Sequence, residues 1–205
     1  METKTMDTKK IDEHKEEDLF GVLPKEETKL DEFIEGTLLE NNSLVLHGDM
    51  TEEACNKITK KLMFLKVRGA KQIRLILNTP GGDIYHGLLI FETLQDLTNS
   101  GIDVTIEARG LCASMGVVIL MAGTHRLATR YTRFLLHEAT MLAYGKASEL
   151  KDESLELDKV NSMLDDILIS KTKLTREKIK KYAYKRDWWF SAEEALKLGI
   201  IERIV

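Results

Sequence analysis

The sequence predicts an α/β fold in which a largely parallel sheet is joined to its helices by right-handed crossovers. Two observations lead to this fold class. Apolar runs of strand length alternate with amphipathic segments of helical length, and glycine-containing turns follow the predicted strands. In such folds functional groups collect in loops at the carboxyl ends of the strands. Three segments lie at such ends: Gly81 with Gly82, Ser114 and His137.

Residues 1–30 are predicted to form a flexible tail or a removable leader. Charged side chains dominate this segment, and Gly21 and Pro24 interrupt its one apolar patch. Such a segment buries too little apolar area to offset the entropy lost on ordering. The remaining residues, 31–205, are expected to form a single domain.

The first half of this domain is predicted to contain a strand, a helix, a second strand, a turn and a second helix, in that order. The acidic Glu52 and Glu53 lie against the positive end of the first of these helices. In chain order the predicted elements are a strand at Ser43–His47, a helix from Thr51, a strand at Ile73–Leu77, a turn at Asn78–Gly82 and a helix from Ile84 to about Leu97.

The second half repeats this alternation and ends with a capping box. Ser191 and Glu194 have the spacing of that box, and Gly199 ends the short helix that follows. The other predicted elements are a strand at Val104–Ala108, a loop at Gly110–Gly116, a helix at Met115–Ala122 capped by Gly123, a strand at Arg133–Leu136, helices at Ser148–Lys173 and Thr175–Tyr184, and a strand at Ile200–Val205.

Composition excludes several classes of function. The net charge of −4 comes from mixed signs without a basic block, which argues against a nucleic-acid partner. Cys55 and Cys112 are far apart, so neither a disulfide framework nor a zinc site is expected. No secretory signal precedes the domain, and no apolar run approaches the ~20 residues that span a bilayer. We therefore expect a cytoplasmic protein without a membrane partner.

Ser114 is the candidate nucleophile. It lies between a predicted strand and an apolar helix, where a hydroxyl is presented to solvent and free backbone N–H groups favour negative charge. The alternative is that Ser114 merely caps the helix. The glycines Gly81 and Gly82 either form an ordinary turn or bring backbone N–H groups close to a substrate oxygen.

His137 and Asp187 are candidates for the base and for the carboxylate that orients it. Each residue alone has a structural explanation, as a core histidine or a solvated acid. Serine catalysis needs both groups beside the hydroxyl, and the sequence offers one candidate for each. The remaining histidines show neither an HExxH motif nor paired ligand spacing, so a metallopeptidase is not expected.

Four segments resemble the ClpP peptidase family in order and approximate spacing over residues 43–205. LILNTPGGDIYHGLLIFETLQ resembles the family's glycine-rich segment, and GLCASMG resembles its nucleophile motif GQAASMG. RFLLHEA is similar to RVMIHQP, which contains the catalytic histidine, and RDWWFSAEEALKLGIIERIV is similar to the family's ending with the catalytic aspartate. The resemblance implies the ClpP/crotonase-like fold, with repeated strand-strand-helix units and a protruding handle helix.

The resemblance also implies a function. Ser114, His137 and Asp187 would form the triad of a serine endopeptidase, with the backbone N–H groups of Gly82 and Met115 as its oxyanion hole. It implies two stacked heptameric rings around a chamber, with the helix at Ser148–Lys173 as the handle. The peptidase would need no cofactor, because ATP is used by a partner AAA+ unfoldase of the ClpX or ClpA type that delivers unfolded protein.

Departures from the family pattern leave the substrate preference open. Asp83 replaces a small polar residue beside the oxyanion loop, and Glu138-Ala139 replaces Gln-Pro after the histidine. Two other functions stay open as alternatives. One is a crotonase-like acyl-CoA hydratase or isomerase, which has no use for a complete triad. The other is an inactive ring subunit of the ClpR kind; such subunits lack one or more triad residues, whereas this chain has a candidate for all three.

Overall fold

The computed structural model describes residues 29–205. These residues belong to two compact units that divide between Glu40 and Asn41. The described part of the first unit contains helix α1, residues 29–40. The predicted tail, residues 1–30, lies almost wholly outside the described residues. The extent of the tail and the single domain at residues 31–205 therefore stay predictions.

The second unit alternates strands and helices, which confirms the predicted α/β class. No helix within residues 29–205 is both long enough and apolar enough to cross a membrane. Its elements are β1 Ser43–His47, α2 Glu52–Val67, β2 Gln72–Thr79, α3 Ile84–Asn99, β3 Asp103–Ala113, α4 Met115–Leu120, β4 His125–Ala128, β5 Arg133–Leu136, α5 Ala147–Lys171, α6 Arg176–Ala183, β6 Trp188–Ser191, α7 Ala192–Leu198 and β7 Arg203–Ile204.

The sheet is mostly parallel, as predicted. Strands β1, β2, β3, β4 and β7 are neighbours in that order and pair in parallel. The long strand β3 pairs with β4 through Thr105–Ala108 and then with β5 through Leu111–Ala113. Strand β6 pairs with β5 in the antiparallel direction. The end of β3 thus forms a second, smaller part of the sheet.

The core of this unit lies on one face of the sheet. Alternate residues of β2 and β3 are buried there, while helices α2 and α3 contribute leucine and isoleucine at helical spacing. The predicted capping box at Ser191 and Glu194 is confirmed, and Gly199 ends α7 in the left-handed conformation. The fully or almost fully buried side chains include Leu62, Leu65, Ile73, Leu75, Leu77, Ile90, Leu94, Val104 and Ile106.

Several predicted boundaries are wrong. The segment Gly110–Gly116 is not a loop, because β3 continues to Ala113 through its pairing with β5. Gly123 is not the cap of α4, since that helix ends at Leu120 and its C-cap is Met121. The last strand is limited to Arg203–Ile204, and strands β4 and β6 were not predicted.

A buried carboxylate lies on the other face of β3. Glu107 is 3% exposed, and its two oxygens accept hydrogen bonds from Arg74 and Arg109. Burial alone would raise the pKa of Glu107. The hydrogen bonds and positive charges of the two arginines outweigh burial and lower that pKa below its ordinary value. Glu107 is therefore a charged group that stabilises the folded state.

We expect Glu107→Gln to lower the free energy of unfolding by about 2 kcal/mol at pH 7. Losing one partner of a buried ion pair costs roughly 3–5 kcal/mol, reduced here because the guanidinium groups are half exposed. Since the folded pKa is depressed, this contribution is complete above the unfolded pKa of about 4.3 and is lost as the pH falls through the folded value. Urea denaturation of both proteins at several pH values measures it.

The matched control is Glu156→Gln, which removes an exposed carboxylate paired with Lys159. This substitution should change stability little. Equal effects of the two substitutions at pH 7 would contradict the stabilising role of Glu107.

Candidate active site

Ser114 occupies a strained turn between β3 and α4. Its backbone angles are φ 53° and ψ −123°, a combination that residues other than glycine rarely adopt. Its N–H donates to the carbonyl of Leu135 at 2.9 Å, which anchors the turn to β5. The Ser114 hydroxyl makes no capping hydrogen bond to α4. The capping explanation therefore does not account for this serine.

Glycine packing brings the loop after β2 against this turn. A Cβ atom on Gly81 would lie 2.8 Å from Ser114 Cβ and 3.2 Å from Met115 N. A Cβ atom on Gly116 would lie 2.7 Å from Thr79 Cγ2. These separations leave no room for side chains, so the glycines are what allow the two segments to touch.

The predicted oxyanion donors are the backbone N–H groups of Gly82 and Met115, and both residues line the same cavity as Ser114. Met50 forms backbone hydrogen bonds to the residues on both sides of Gly82. The Met50 N–H donates to the Gly81 carbonyl at 2.9 Å, and the Asp83 N–H donates to the Met50 carbonyl at 3.2 Å. In such a parallel bridge the N–H of Gly82 points away from Met50. Met115 is the first residue of α4, where an N–H has no intrahelical acceptor. Neither N–H has a backbone partner within residues 29–205.

The ladder between β5 and β6 ends next to His137 and Asp187. Leu136 pairs with Trp188, so the same register continued by one residue would set His137 opposite Asp187. Just beyond, Lys185 N donates to Glu138 Oε1 at 2.8 Å, which ties the turn before β6 to the end of β5.

The structure brings Ser114 and His137 to one cavity, whereas Asp187 lies outside its lining and is exposed. Within the part of the chain that the structure describes, no hydrogen bond joins the Ser114 hydroxyl to the His137 ring. The His137 ring and the Asp187 carboxylate are likewise not joined there. The triad and the oxyanion hole thus stay predictions, with the sheet register in their favour.

The cavity has a volume of about 250 Å³ and lies between α4, α5, α6 and the end of β5. It is smaller than the roughly 300–1,000 Å³ pockets that hold drug-sized ligands, so its size suits one amino-acid side chain. Its polar lining includes Asn161, Asp165 and Tyr184. The apolar lining consists of Pro80, Ile84, Met115, Val118, Leu136, Leu164, Leu168, Ile179 and Ala183, with Ala139 beside them.

Sequence reasoning missed the buried acid in this lining. Asp165 is 5% exposed, and its Oδ2 accepts from Tyr184 Oη at 3.2 Å and from Arg176 at 3.4 Å. Burial raises the pKa of Asp165, although Tyr184 and Arg176 act in the opposite direction. Burial, followed by the nearby Asp165 charge, raises the pKa of Tyr184 to about 12. The signal in the sequence was the spacing of Asn161, Leu164, Asp165 and Leu168, which places them on one helix face.

Other reactive groups are poorly placed for chemistry. Burial raises the pKa of Cys112 far above its ordinary value, so this thiol is not a ready thiolate. Burial, with a smaller contribution from Asp83, also raises the pKa of Cys55. Across residues 29–205 there is no group of three histidine, cysteine or acidic side chains arranged to hold a metal ion.

Comparison with known proteins identifies the family. The family model described as Clp protease matches residues 25–205. The chain belongs to the Clp protease family. This confirms the resemblance and the fold class expected from it, and it gives no support to the crotonase-like alternative.

Curated relatives of this Clp protease family member are named as proteolytic subunits. An ATP-dependent Clp protease proteolytic subunit 3 from Rhodococcus jostii is 30% identical over 171 residues, covering 82% of this chain and 83% of the relative. The protein of the same name from Rhizobium etli is 32% identical, covering 83% and 87%. An ATP-dependent Clp protease proteolytic subunit 1 from Prochlorococcus marinus is 33% identical, covering 82% and 86%.

Because the turn at Ser114 is strained, we expect glycine to be more stable than alanine at position 114, the reverse of the usual order in a helix. We expect Ser114→Gly to unfold with a free energy about 1 kcal/mol higher than Ser114→Ala, because glycine adopts this backbone region without the roughly 1–3 kcal/mol strain of other residues. Ser154 lies exposed within α5 and provides the control. There Ser154→Ala should be the more stable variant, by about 1 kcal/mol. Denaturant unfolding compares the four variants, and the same order at both positions would contradict the strain.

Proposed function

We propose that this chain is a serine endopeptidase that hydrolyses peptide bonds of unfolded proteins or peptides. The observation that carries the proposal is the strained turn at Ser114, a residue that makes no side-chain capping bond and lines the same cavity as His137. Strained backbone held in place by its surroundings is typical of active sites. Membership of the Clp protease family supports the same function.

The proposed mechanism assigns one role to each residue. Ser114 Oγ attacks the scissile carbonyl while His137 accepts its proton and then protonates the leaving amine. Asp187 orients the His137 ring and stabilises its positive charge. Water then hydrolyses the acyl-enzyme by the same steps. Catalytic hydrogen bonds are often long or misaligned before substrate binds, so the separation of these side chains in the free chain is compatible with these roles.

The oxyanion formed at the scissile carbonyl would be held by the N–H groups of Gly82 and Met115. Their lack of backbone partners among the described residues supports this role. Loss of one such donor typically costs roughly 2.7–4 kcal/mol of transition-state stabilisation. Both donors belong to the backbone, and the close packing of Gly81 against Met115 N would hold the two segments in place.

We further propose that the chain assembles in the cytoplasm into two stacked rings of seven subunits. A partner AAA+ unfoldase of the ClpX or ClpA type would consume ATP and deliver unfolded protein, and the peptidase subunit itself would need no cofactor. Large apolar side chains exposed on and just before α5 support assembly: Leu142, Tyr144 and Leu155 are 81%, 86% and 52% exposed. The relatives' names also describe ATP-dependent proteolytic subunits.

An inactive ring subunit is the second candidate. The exposure of Asp187 and its missing hydrogen bond to His137 favour this alternative within the described residues. Reactivity of Ser114 distinguishes the two candidates, because an activated serine needs a working base.

We expect Ser114→Ala to abolish labelling by a fluorophosphonate probe and to lower peptide hydrolysis about a thousandfold or more. The nucleophile is lost while the fold is kept, as circular dichroism would verify. Ser100→Ala, at the exposed end of α3, is the control and should keep both labelling and activity. Unchanged cleavage by the Ser114 variant would reject this nucleophile, and an unlabelled parent would favour the inactive subunit.

We expect the native protein to form a particle many times heavier than its 23.4 kDa subunit. Leu155→Glu should shift it towards smaller species, because it places a charge on an exposed apolar part of α5. Lys151→Glu, on the same helix, should change the mass distribution less. Light scattering and native mass spectrometry report these masses. A persistent monomer with full peptidase activity would refute the chamber.

A further inference from the structure

Two buried polar side chains line the cavity beside Ser114. Asn161 and Asp165 are one turn apart on α5 and are 8% and 5% exposed. Residues four positions apart on a helix are neighbours on its surface. Both border the same cavity as Ser114 and His137. A side chain that enters this cavity from a bound peptide would therefore meet both of them.

The amide of Asn161 has a defined orientation. The backbone N–H of Ala139 donates to Asn161 Oδ1 at 2.8 Å. A backbone N–H can only donate, so the oxygen of the amide faces Ala139 and the NH₂ group lies on the other side. Within residues 29–205 this NH₂ group has no hydrogen-bond partner. Asn161 thus offers an unused donor.

The carboxylate of Asp165 offers the complementary acceptor. Its hydrogen bonds from Tyr184 and Arg176 both end on Oδ2. Among the described residues, Oδ1 accepts no hydrogen bond. Among the described residues, the fully buried side-chain atoms without a partner are Thr59 Oγ1 and His86 Nδ1, so Asp165 Oδ1 and Asn161 Nδ2 keep access to solvent. A bound side chain that excludes this water without pairing with them leaves each atom unsatisfied at a cost of roughly 1–3 kcal/mol. The two neighbouring side chains together present one donor and one acceptor.

We propose that Asn161 and Asp165 determine specificity by binding the carboxamide of a glutamine side chain on the residue whose carbonyl Ser114 attacks. The glutamine NH₂ group donates to Asp165 Oδ1, and its carbonyl accepts from Asn161 Nδ2. The apolar lining packs around the two methylene groups of the stem. This inference rests on the proposed peptidase function and names its preferred substrate.

Other side chains of similar length satisfy the pair less well. Methionine fills the apolar part but leaves both polar atoms unpaired. Lysine donates to Asp165 but cannot accept from Asn161. Glutamate accepts from Asn161 but brings a second negative charge beside Asp165. A site built to form hydrogen bonds discriminates against analogues that lack the matching groups.

The test compares four fluorogenic peptides that differ only in having glutamine, methionine, lysine or glutamate at this position. The kcat/KM of the assembled native protein is measured for each. The glutamine peptide should exceed the methionine peptide by about tenfold, as expected for two added hydrogen bonds. The glutamate peptide should be the poorest of the four.

The decisive variant is Asp165→Asn. Arg176 can only donate, so it keeps the amide oxygen on its side and an NH₂ group replaces the Oδ1 acceptor. The glutamine advantage over methionine should disappear, and the glutamate peptide should improve by about tenfold relative to glutamine. Asp166→Asn is the matched control, because Asp166 also pairs with Arg176 but is exposed and lies outside the lining. This control should keep the preference for glutamine.

A second variant, Asn161→Asp, covers the case in which Asp165→Asn does not fold. It keeps an oxygen for Ala139 and replaces the free donor with an acceptor, so the lysine peptide should overtake the glutamine peptide. Equal cleavage of all four peptides by the parent, or an unchanged preference in the folded variants, overturns the inference and leaves the peptidase intact. A parent that cleaves no peptide and whose Ser114 is not labelled overturns the proposed function and this inference with it.

Discussion

The pairing of the last residues of β3 with β5 fixes the backbone that carries Ser114 and His137. Ala113 pairs with Leu135, and the next N–H along the chain, that of Ser114, donates to the Leu135 carbonyl. His137 follows two residues after Leu135, so the same strand that anchors the serine also carries the histidine. The antiparallel partner β6 begins at Trp188, opposite Leu136, so His137 and Asp187 adjoin the same end of this ladder. One ladder thus relates residues that are far apart in the sequence.

This ladder also explains why the turn at Ser114 can be strained. The turn is held from three sides, by β5, by the glycine loop after β2 and by the buried helix α4. The stacked rings of Phe134 and Phe190, with centroids 5.5 Å apart, join β5 to β6 within the same assembly of strands. Strain of a few kcal/mol persists only where the surroundings fix the backbone in this way.

Local signals in the sequence were enough to predict most of the fold. Thr51 begins α2, Ser191 and Glu194 form their capping box, and both depend on neighbours a few residues away. Strands β4 and β6 were missed because their stability comes from pairing with distant strands, which propensity does not reveal. Gly123 was misread as a cap. A Cβ atom there would lie 3.0 Å from the His125 carbonyl, so close packing explains this glycine.

Only those residues of the candidate site that belong to sequence motifs could be predicted. Ser114 and His137 border strand ends, and their motifs led to them directly. Asp165 could not be predicted in this way, because an acidic residue in a highly charged helix is expected to be exposed to solvent. Its burial becomes evident only when α5 packs beside α4 and α6. The hydrogen bonds from Tyr184 and Arg176 offset much of the desolvation cost at Asp165 Oδ2. An apolar residue at this position would avoid that cost altogether. The remaining cost falls on Oδ1, which accepts no hydrogen bond among the described residues and is the acceptor that the proposed glutamine site uses.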